Sequence, residues 1–341
     1  MMEHKRSDTA HIVYASDNHF IEILGVSLVS LYENSQDMED IIIYILDCGI
    51  MEENKQKIET ICLNYRRKLP QWIRAKNINE ELSMGVEADR GSWSQYARLF
   101  ISSVLPEHLQ RVMSLDCDLL IMRSIKEFWE LDMHGKTIAA LMDAFSKSYR
   151  VNLGLQPDDI MFNAGVMLID LPQWKEKKVE EKLLSYIAGK KGRVQQADQG
   201  ALNAILSRDI KCIEPYFNSV TILYDFSYEE MQVYRKPPRF YTREQVKRAV
   251  EEPRIIHFTT SFLSRRPWME GCRHRYVGEW LRFKAISPWK DEPLWRDTRR
   301  GIRKIVYIIS GYMPKKLMCV MFGILQAYGR PFLNYIREWL F

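Results

Sequence analysis

A chain of 341 residues, 46% hydrophobic and 27% charged, carries enough apolar side chains for a core of ordinary proportions, which excludes a disordered chain and a polytopic membrane protein. Its 49 basic and 44 acidic residues give a formal charge of +5, but the excess is local: from Arg296 onward nine Lys or Arg stand against two acids, a net of +7 that leaves −2 for everything before. The basic character therefore belongs to a C-terminal tail, where it points to an acidic surface such as anionic lipid, and the body of the chain is expected to bind no nucleic acid.

In chain order, "HIVYA" at 11–15 predicts a buried strand, and "FIEILGVSLVSLYEN" places Phe20, Ile23, Leu24, Ser27, Leu28 and Leu31 at helical spacing. "DIIIYILDCG" predicts a second buried strand closed by a glycine turn, followed by a helix over 52–66. No P-loop and no G-x-G-x-x-G follows the first strand, which argues against an NTPase and a nicotinamide dehydrogenase. "SQYARLFISSVLP" predicts a helix ending at Pro106, "RVMSLD" and "NAGVMLIDL" two more strands, and "QQADQGALNAILS" a helix with Gln199 and Asn203 on one face. Strands alternating with helices predict a doubly wound, parallel α/β sheet whose ligands collect at the strand carboxyl ends, where Asp17, Asp47 and Asp116 fall. Three strand-end acids suggest a cationic or hydroxyl-rich ligand. With no repeat and no low-complexity linker before about residue 285, the expectation is one catalytic domain over 10–285 and a helical tail over 286–341.

The segment "RVMSLDCDLLIM" ends an apolar run in two aspartates one residue apart. Residues i and i+2 of a strand share a face, so Asp116 and Asp118 present both carboxylates to one side, and two like charges that close are relieved by a divalent cation. Oxygen donors favour Mg²⁺ or Mn²⁺, ions that bring phosphate oxygens with them. Taken alone, the pair is equally compatible with a solvated turn. The six scattered cysteines contain no C-x-x-C pair, and "MMEHKRSDTAHIVYAS" has no apolar signal segment, so a cytoplasmic setting with reduced thiols is expected.

Several segments together resemble glycosyltransferase family 8, the retaining nucleotide-sugar transferases that include bacterial lipooligosaccharide galactosyltransferases and glycogenin. They are "IVYASDNHF", "IIIYILDCGI", "YARLFISSVLP", "RVMSLDCDLLIMRSIKEFWELD", "FNAGVMLIDLPQWK", "QADQGALN" and "HFTTSF" with "RPW", in the family's order over about residues 10 to 280. The resemblance implies a GT-A type, Rossmann-like fold and transfer of a hexose, galactose or glucose, from a UDP-sugar to a glycan or glycolipid acceptor with Mn²⁺ or Mg²⁺. It places Ala15, Asp17 and Phe20 at the nucleotide, Arg98 and Arg266 near the diphosphate, and Asp116, Asp118 and His257 on the metal. Asp143, Asn163, Asp198 and Gln199 match residues that grip the donor sugar and frame the reaction centre. Asp198 and Gln199 are either a nucleophile or stabilisers of a front-face displacement, and the second is favoured because a glutamine is a poor nucleophile.

Two departures stand out: Asn18 replaces the family's second acid after the first strand, and "HFTTSFLSRRPW" has Thr260 for a glycine, three extra residues and Arg266 before Pro267. In "RPWMEGCRHRYVGEWLRF" the aromatics Trp268, Tyr276 and Trp280 either stack on an acceptor sugar or pack. The tail's longest uncharged run, between Lys316 and Arg330, has 13 residues, short of the roughly 20 that span a bilayer. Basic and aromatic residues among apolar ones suit helices lying on the inner face of the cell membrane, the alternative being a cap on the catalytic domain. Two rival functions are a noncatalytic sugar-nucleotide-binding protein, which metal-dependent turnover excludes, and an inverting GT-A transferase of another family, which product configuration excludes.

Overall fold

The computed structural model describes residues 9–88, 92–297, 299 and 301–340. Ten strands are present among them: β1 Thr9–Ser16, β2 Asp40–Asp47, β3 Gln71–Arg74, β4 Arg111–Leu115, β5 Leu119–Ile121, β6 Ile138–Met142, β7 Phe162–Asp170, β8 Ile210–Cys212, β9 Ser219–Val220 and β10 Ile255–His257. Seven form one sheet in the order β3-β2-β1-β4-β7-β6-β8, and β5-β10-β9 form a second, smaller one. Runs such as Ile41–Ile45 are buried on both faces, as a parallel sheet covered by helices requires. The helix Ile21–Asn34 covers one face, with Ile23, Leu24, Leu28 and Leu31 at most 1% exposed.

The sheet is mainly parallel, as expected, with one exception that shapes the site. β7, the "NAGVMLIDL" strand, runs antiparallel to both β4 and β6, whereas β1, β2, β3, β4, β6 and β8 share one direction. The reversal brings the start of β7, Phe162 to Gly165, to the edge where its neighbours end. A second difference concerns "SQYARLFISSVLP", which forms a 3₁₀ helix Trp93–Phe100 and then a short α-helix Ile101–Val104. Leu105, the residue that caps this helix, is extended before Pro106, the conformation that a following proline enforces. At three residues per turn the two faces do not drift, so Tyr96, Leu99 and Phe100 are buried while Arg98 faces the sheet edge.

Beyond the helix Val277–Ala285 the chain stays packed on this body. Lys284 Nζ lies 2.5 Å from Glu22 Oε1 and donates to Trp289 O at 2.6 Å; Trp289 rests against Gly25, and Trp295 stacks on His19 at 4.3 Å. The helices Gly301–Tyr312, Lys315–Ile324 and Arg330–Leu340 follow, the last two joined by a π-helical turn at Leu325–Gly329. One edge of this assembly docks on the helices Tyr228–Arg235 and Lys147–Asn152. The other exposes Leu317, Ile324, Leu325, Tyr328, Phe332 and Leu333. Among the described residues no helix is long and apolar enough to cross a membrane.

His274 is sealed between Tyr224 and Phe258, with ring centroids at 4.7 and 4.9 Å; its Nδ1 accepts from Tyr276 N at 3.2 Å, and its Nε2 is buried without a hydrogen-bond partner. Burial lowers its pKa from 6.5 to about 4. The unfolded chain therefore takes up this proton first, so the stability due to the neutral ring is complete above pH 6.5 and lost as pH falls toward 4. Urea titrations at pH 7 and pH 4.5 are expected to show a loss on the order of 2–3 kcal/mol from this residue, and His274→Phe should make the loss correspondingly smaller.

Candidate active site

β4 ends at Leu115 and β5 begins at Leu119, so the two acids sit in the connection between the two sheets rather than within a strand. The alternation expected from the sequence still holds there. Cys117 turns inward, 8% exposed, with its Sγ on Ala15 O at 3.3 Å, while Asp116 and Asp118 face the opposite side. β10 runs antiparallel to β5 with His257 opposite Leu119, and Phe258 N donates to Asp118 O at 3.0 Å. This register delivers the imidazole to the carboxylates: His257 Nε2 lies 3.2 Å from Asp118 Oδ1 and 3.6 Å from Asp116 Oδ2.

A chain of amides fixes the imidazole tautomer. Asn163 Oδ1 accepts from Gly165 N at 3.0 Å and from Asn218 Nδ2 at 2.9 Å, which turns Asn218 Oδ1 toward His257 Nδ1 at 3.1 Å. An oxygen there calls for a proton on Nδ1, leaving the Nε2 lone pair to face the two acids, the arrangement of a metal-binding histidine. One donor atom from each of the three residues lies within 4.8 Å of the others. Two carboxylates and an imidazole are a donor set for a divalent cation. Gly165 makes the space: a Cβ there would stand 2.1 Å from His257 Cε1 and 2.8 Å from Asp116 Oδ2.

Arg98 ties Asp116 to the helix that carries Asp198. Its Nη1 donates to Ala164 O at 2.6 Å, its Nη2 bonds the Asp116 carboxylate, and its Nε lies 3.2 Å from Asp198 Oδ2. Burial works against its charge, but Asp116 and Asp198 outweigh burial and raise its pKa. Asp198 shows the converse balance: burial, together with repulsion from Asp116, overcomes Arg98 and pushes its carboxyl up to about 6. The helix Ala197–Leu206 that carries Asp198 opens on two left-handed residues, its N-cap Gln196 with φ 65° and its first residue Ala197 with φ 53°. Such strain, about 1–2 kcal/mol per residue, persists only where surrounding contacts enforce it.

Gln199 Oε1 accepts from Ala164 N at 3.2 Å and Asn163 Nδ2 at 3.4 Å, and Asn203 bonds Phe162 N and O at 2.7 and 2.9 Å, so both face the start of β7 from the one helix face that their spacing predicts. Asp143, just past β6, has its carboxyl raised by burial against the pull of Arg235, the Ala144 amide and Asn163. Arg266 reaches back into the cluster despite the extra residues in its loop. Its Nη2 is 3.7 Å from Asp118 Oδ2, and its guanidinium lies 5.3 Å from the Trp268 ring centroid.

On the β1 side, Asp17 Oδ1 accepts from His19 N and Phe20 N at 3.0 and 3.1 Å and Oδ2 from Ser92 Oγ at 2.8 Å, while Phe20 meets Trp268 and Trp295 edge-on. Ala15 lies at the end of β1, beside Asp17 and above Cys117. Asn18, in place of an acid, accepts from Met51 N and Asn54 Nδ2 at 2.9 Å each. Asp47 departs from the expectation of a third ligand-facing acid: Lys55 at 2.7 Å and the amides of Gly49 and Ile50 engage it in its own turn. Trp268 and Trp280 are each 1% exposed and pack in the core, which settles the stacking alternative for these two.

Sequence reasoning missed Gly165 and Asn218. A glycine inside a strand pattern is a recognisable sign of close approach, so Gly165 was findable; nothing near Asn218 marks it, because its partners are 39 and 55 positions away.

Solved structures share this architecture. The galactosyltransferase LgtC, in complex with donor and acceptor sugar analogues, matches at a TM-score of 0.68 and 21% identity over 82% of this chain and 96% of that one. The bifunctional glycosyltransferase WbbM matches at 0.65 and 15% identity, covering 85% of this chain and 52% of its own. Among sequences, general stress protein A of Bacillus subtilis (strain 168) is 26% identical over 288 residues, 84% of this chain and 96% of that protein. The lipopolysaccharide 1,2-glucosyltransferase of Escherichia coli (strain K12) is 23% identical over 312 residues, 90% and 85%. The sequence pattern of glycosyl transferase family 8 covers residues 11–272, more than half of the chain. A GT-A type α/β sheet with an Asp-Asp-His cluster at its edge thus coincides with the family's extent: the chain belongs to glycosyl transferase family 8.

Proposed function

We propose that the protein is a retaining, metal-dependent hexosyltransferase that moves galactose or glucose from a UDP-sugar to a glycan or lipid-linked saccharide in cell-surface glycan synthesis. The carrying observation is the convergence of Asp116, Asp118 and His257, donor atoms within 4.8 Å, with Arg98 and Arg266 beside the two acids. The hexose follows from the glucosyl- and galactosyltransferase names of the relatives.

Mn²⁺ or Mg²⁺ held by Asp116, Asp118 and His257 would neutralise the diphosphate as it departs. Arg98 and Arg266 add fixed positive charge on the same side, where it gains strength as the glycosyl-phosphate bond breaks. Asp17, Ala15 and Phe20 hold the nucleotide; Asp143 and Asn163 hold sugar hydroxyls. Asp198, paired with Arg98, and the Gln199 amide stabilise the oxocarbenium character of the anomeric carbon. In the front-face displacement the acceptor oxygen bonds to that carbon as its bond to the diphosphate oxygen breaks, and the departing oxygen takes the acceptor proton. The anomeric configuration is then retained.

UDP release from a panel of UDP-sugars, measured with Mn²⁺, Mg²⁺ or EDTA, tests this reading. One donor is expected to turn over only with metal, and Asp118→Asn to lower that rate at least about 100-fold. No release from any donor with glycan and lipid acceptors present would refute it.

The tail over 286–341 is taken to seat the enzyme on the cytoplasmic face of the membrane. The exposed Leu325, Phe332 and Leu333, with Lys315, Lys316 and Arg330 on the helices that flank the turn, support this. Replacing Leu325, Phe332 and Leu333 together by Ser should abolish cosedimentation with vesicles containing phosphatidylglycerol, and undiminished binding would count against it.

A further inference from the structure

The π-helical turn Leu325–Gly329 and the C-terminal helix Arg330–Leu340 both bond to the catalytic region. Ser146 Oγ donates to Ala327 O at 2.6 Å, and Gln326 Nε2 to Tyr149 Oη at 2.8 Å. Asn152 Nδ2 donates to both Pro331 O at 2.7 Å and Gln195 Oε1 at 2.8 Å, and Asn334 Nδ2 donates to the same Gln195 oxygen at 3.2 Å. Gln195 Nε2 closes the group on Tyr149 O at 3.1 Å. Gln195 and Asn152 are each 6% exposed, so these bonds are made away from water, where an unmet amide is costly.

Gln195 directly precedes the left-handed pair Gln196 and Ala197 and the helix that presents Asp198 and Gln199. The two segments touch: a Cβ on Gly200 would stand 1.8 Å from Gln195 O. A displaced Gln195 therefore displaces the first turn of that helix, and the strained pair has no intrinsic preference for the conformation it holds.

We propose that Asn334, Asn152 and Gln195 form a polar lock through which the C-terminal helix positions the turn carrying Asp198 and Gln199. The inference rests on the glycosyltransferase reading above and extends it, because it makes the tail part of the transferase site. Asn334, Asn152 and Gln195 are positioning residues, acting through Asp198 and Gln199. The opposite edge of the turn Leu325–Gly329 and of the helix Arg330–Leu340 carries the exposed Leu325, Phe332 and Leu333.

The test compares full-length wild type, Asn334→Ala, Asn334→Gln and the isosteric Asn152→Asp, which turns two donated bonds into repulsions. UDP release is measured over a range of donor concentrations, alongside thermal unfolding and hydrogen exchange of the amides at 195–200. For Asn334→Ala, kcat is expected to fall about tenfold with the donor KM unchanged within about twofold. Exchange at 195–200 should accelerate, the unfolding midpoint should hold, and Asn334→Gln should recover most of the loss; Asn152→Asp should lose more. Unchanged kcat and exchange in both Asn334→Ala and Asn152→Asp would overturn the lock, as would a loss that tracks global stability and is not recovered by Asn334→Gln. The exchange arm needs no substrate, so it judges the lock even if no donor turns over in wild type and the glycosyltransferase reading itself fails.

Discussion

Gly165→Ala is expected to lower metal-dependent turnover by about 100-fold or more and to weaken Mn²⁺ binding by a similar factor. The new Cβ would lie 2.1 Å from His257 Cε1, 2.7 Å from its Nδ1 and 2.8 Å from Asp116 Oδ2. Neither neighbour can retreat freely. The imidazole is held by Asn218, the Asp116 carboxylate is bonded by Arg98, and Asp116 N donates to Gly165 O at 2.8 Å, which fixes the main chain beneath it. The methyl therefore forces the donor atoms apart and adds an overpacking cost of about 1–3 kcal/mol. Titration calorimetry with Mn²⁺ and thermal unfolding read the two effects separately; wild-type affinity in the variant would show that the three donors do not converge as described.

Arg98→Met should destabilise the fold by about 3–5 kcal/mol, because it leaves Asp116 and Asp198 facing each other without their shared counter-charge. The Arg98 side chain is 11% exposed, which limits solvent screening. The loss has a definite pH dependence. Asp198 has a folded pKa of about 6 against an ordinary 3.8, so the fold favours its protonated form, and stability falls as pH rises through that interval. Without Arg98 the folded pKa rises further, and the variant's deficit should be largest near pH 8 and shrink toward pH 5. Adding Asp198→Asn should restore part of the stability at pH 8 and much less at pH 5. Denaturant titrations of both variants at the two pH values check the sign.

The sequence carried the site's composition better than its geometry. The helix Ile21–Asn34 and strands β1, β2, β4 and β7 were legible because their apolar residues are numerous and periodic. Strands β5, β9 and β10 have two or three residues each, too few to establish a period, yet they bring His257 to Asp118. The reversal of β7 was likewise invisible, since a strand buried on both faces reads the same in either direction. That reversal nevertheless puts Asn163 and Gly165 beside Asp116. Asp47 illustrates the opposite error: position at a strand end did suggest a ligand, but Lys55 one helical turn into the next element claims its carboxylate. The Gln195 contacts depend on residues 43 and 139 positions away, and no local pattern encodes separations of that kind.

Cys117 sits between the two acids, buried under Ala15, with burial and then Asp116 holding its thiol pKa well above the ordinary value. Alternation along the backbone, with the thiol's bond to Ala15 O, keeps that sulfur out of the cluster, because a one-residue slip of β4 against β7 would exchange the sides on which thiol and carboxylates point. The pairing of Arg111 with Asp170 through Leu115 with Val166 thus decides chemical hardness: it withholds from copper, cadmium and other thiophilic ions the one soft donor placed between the two aspartates.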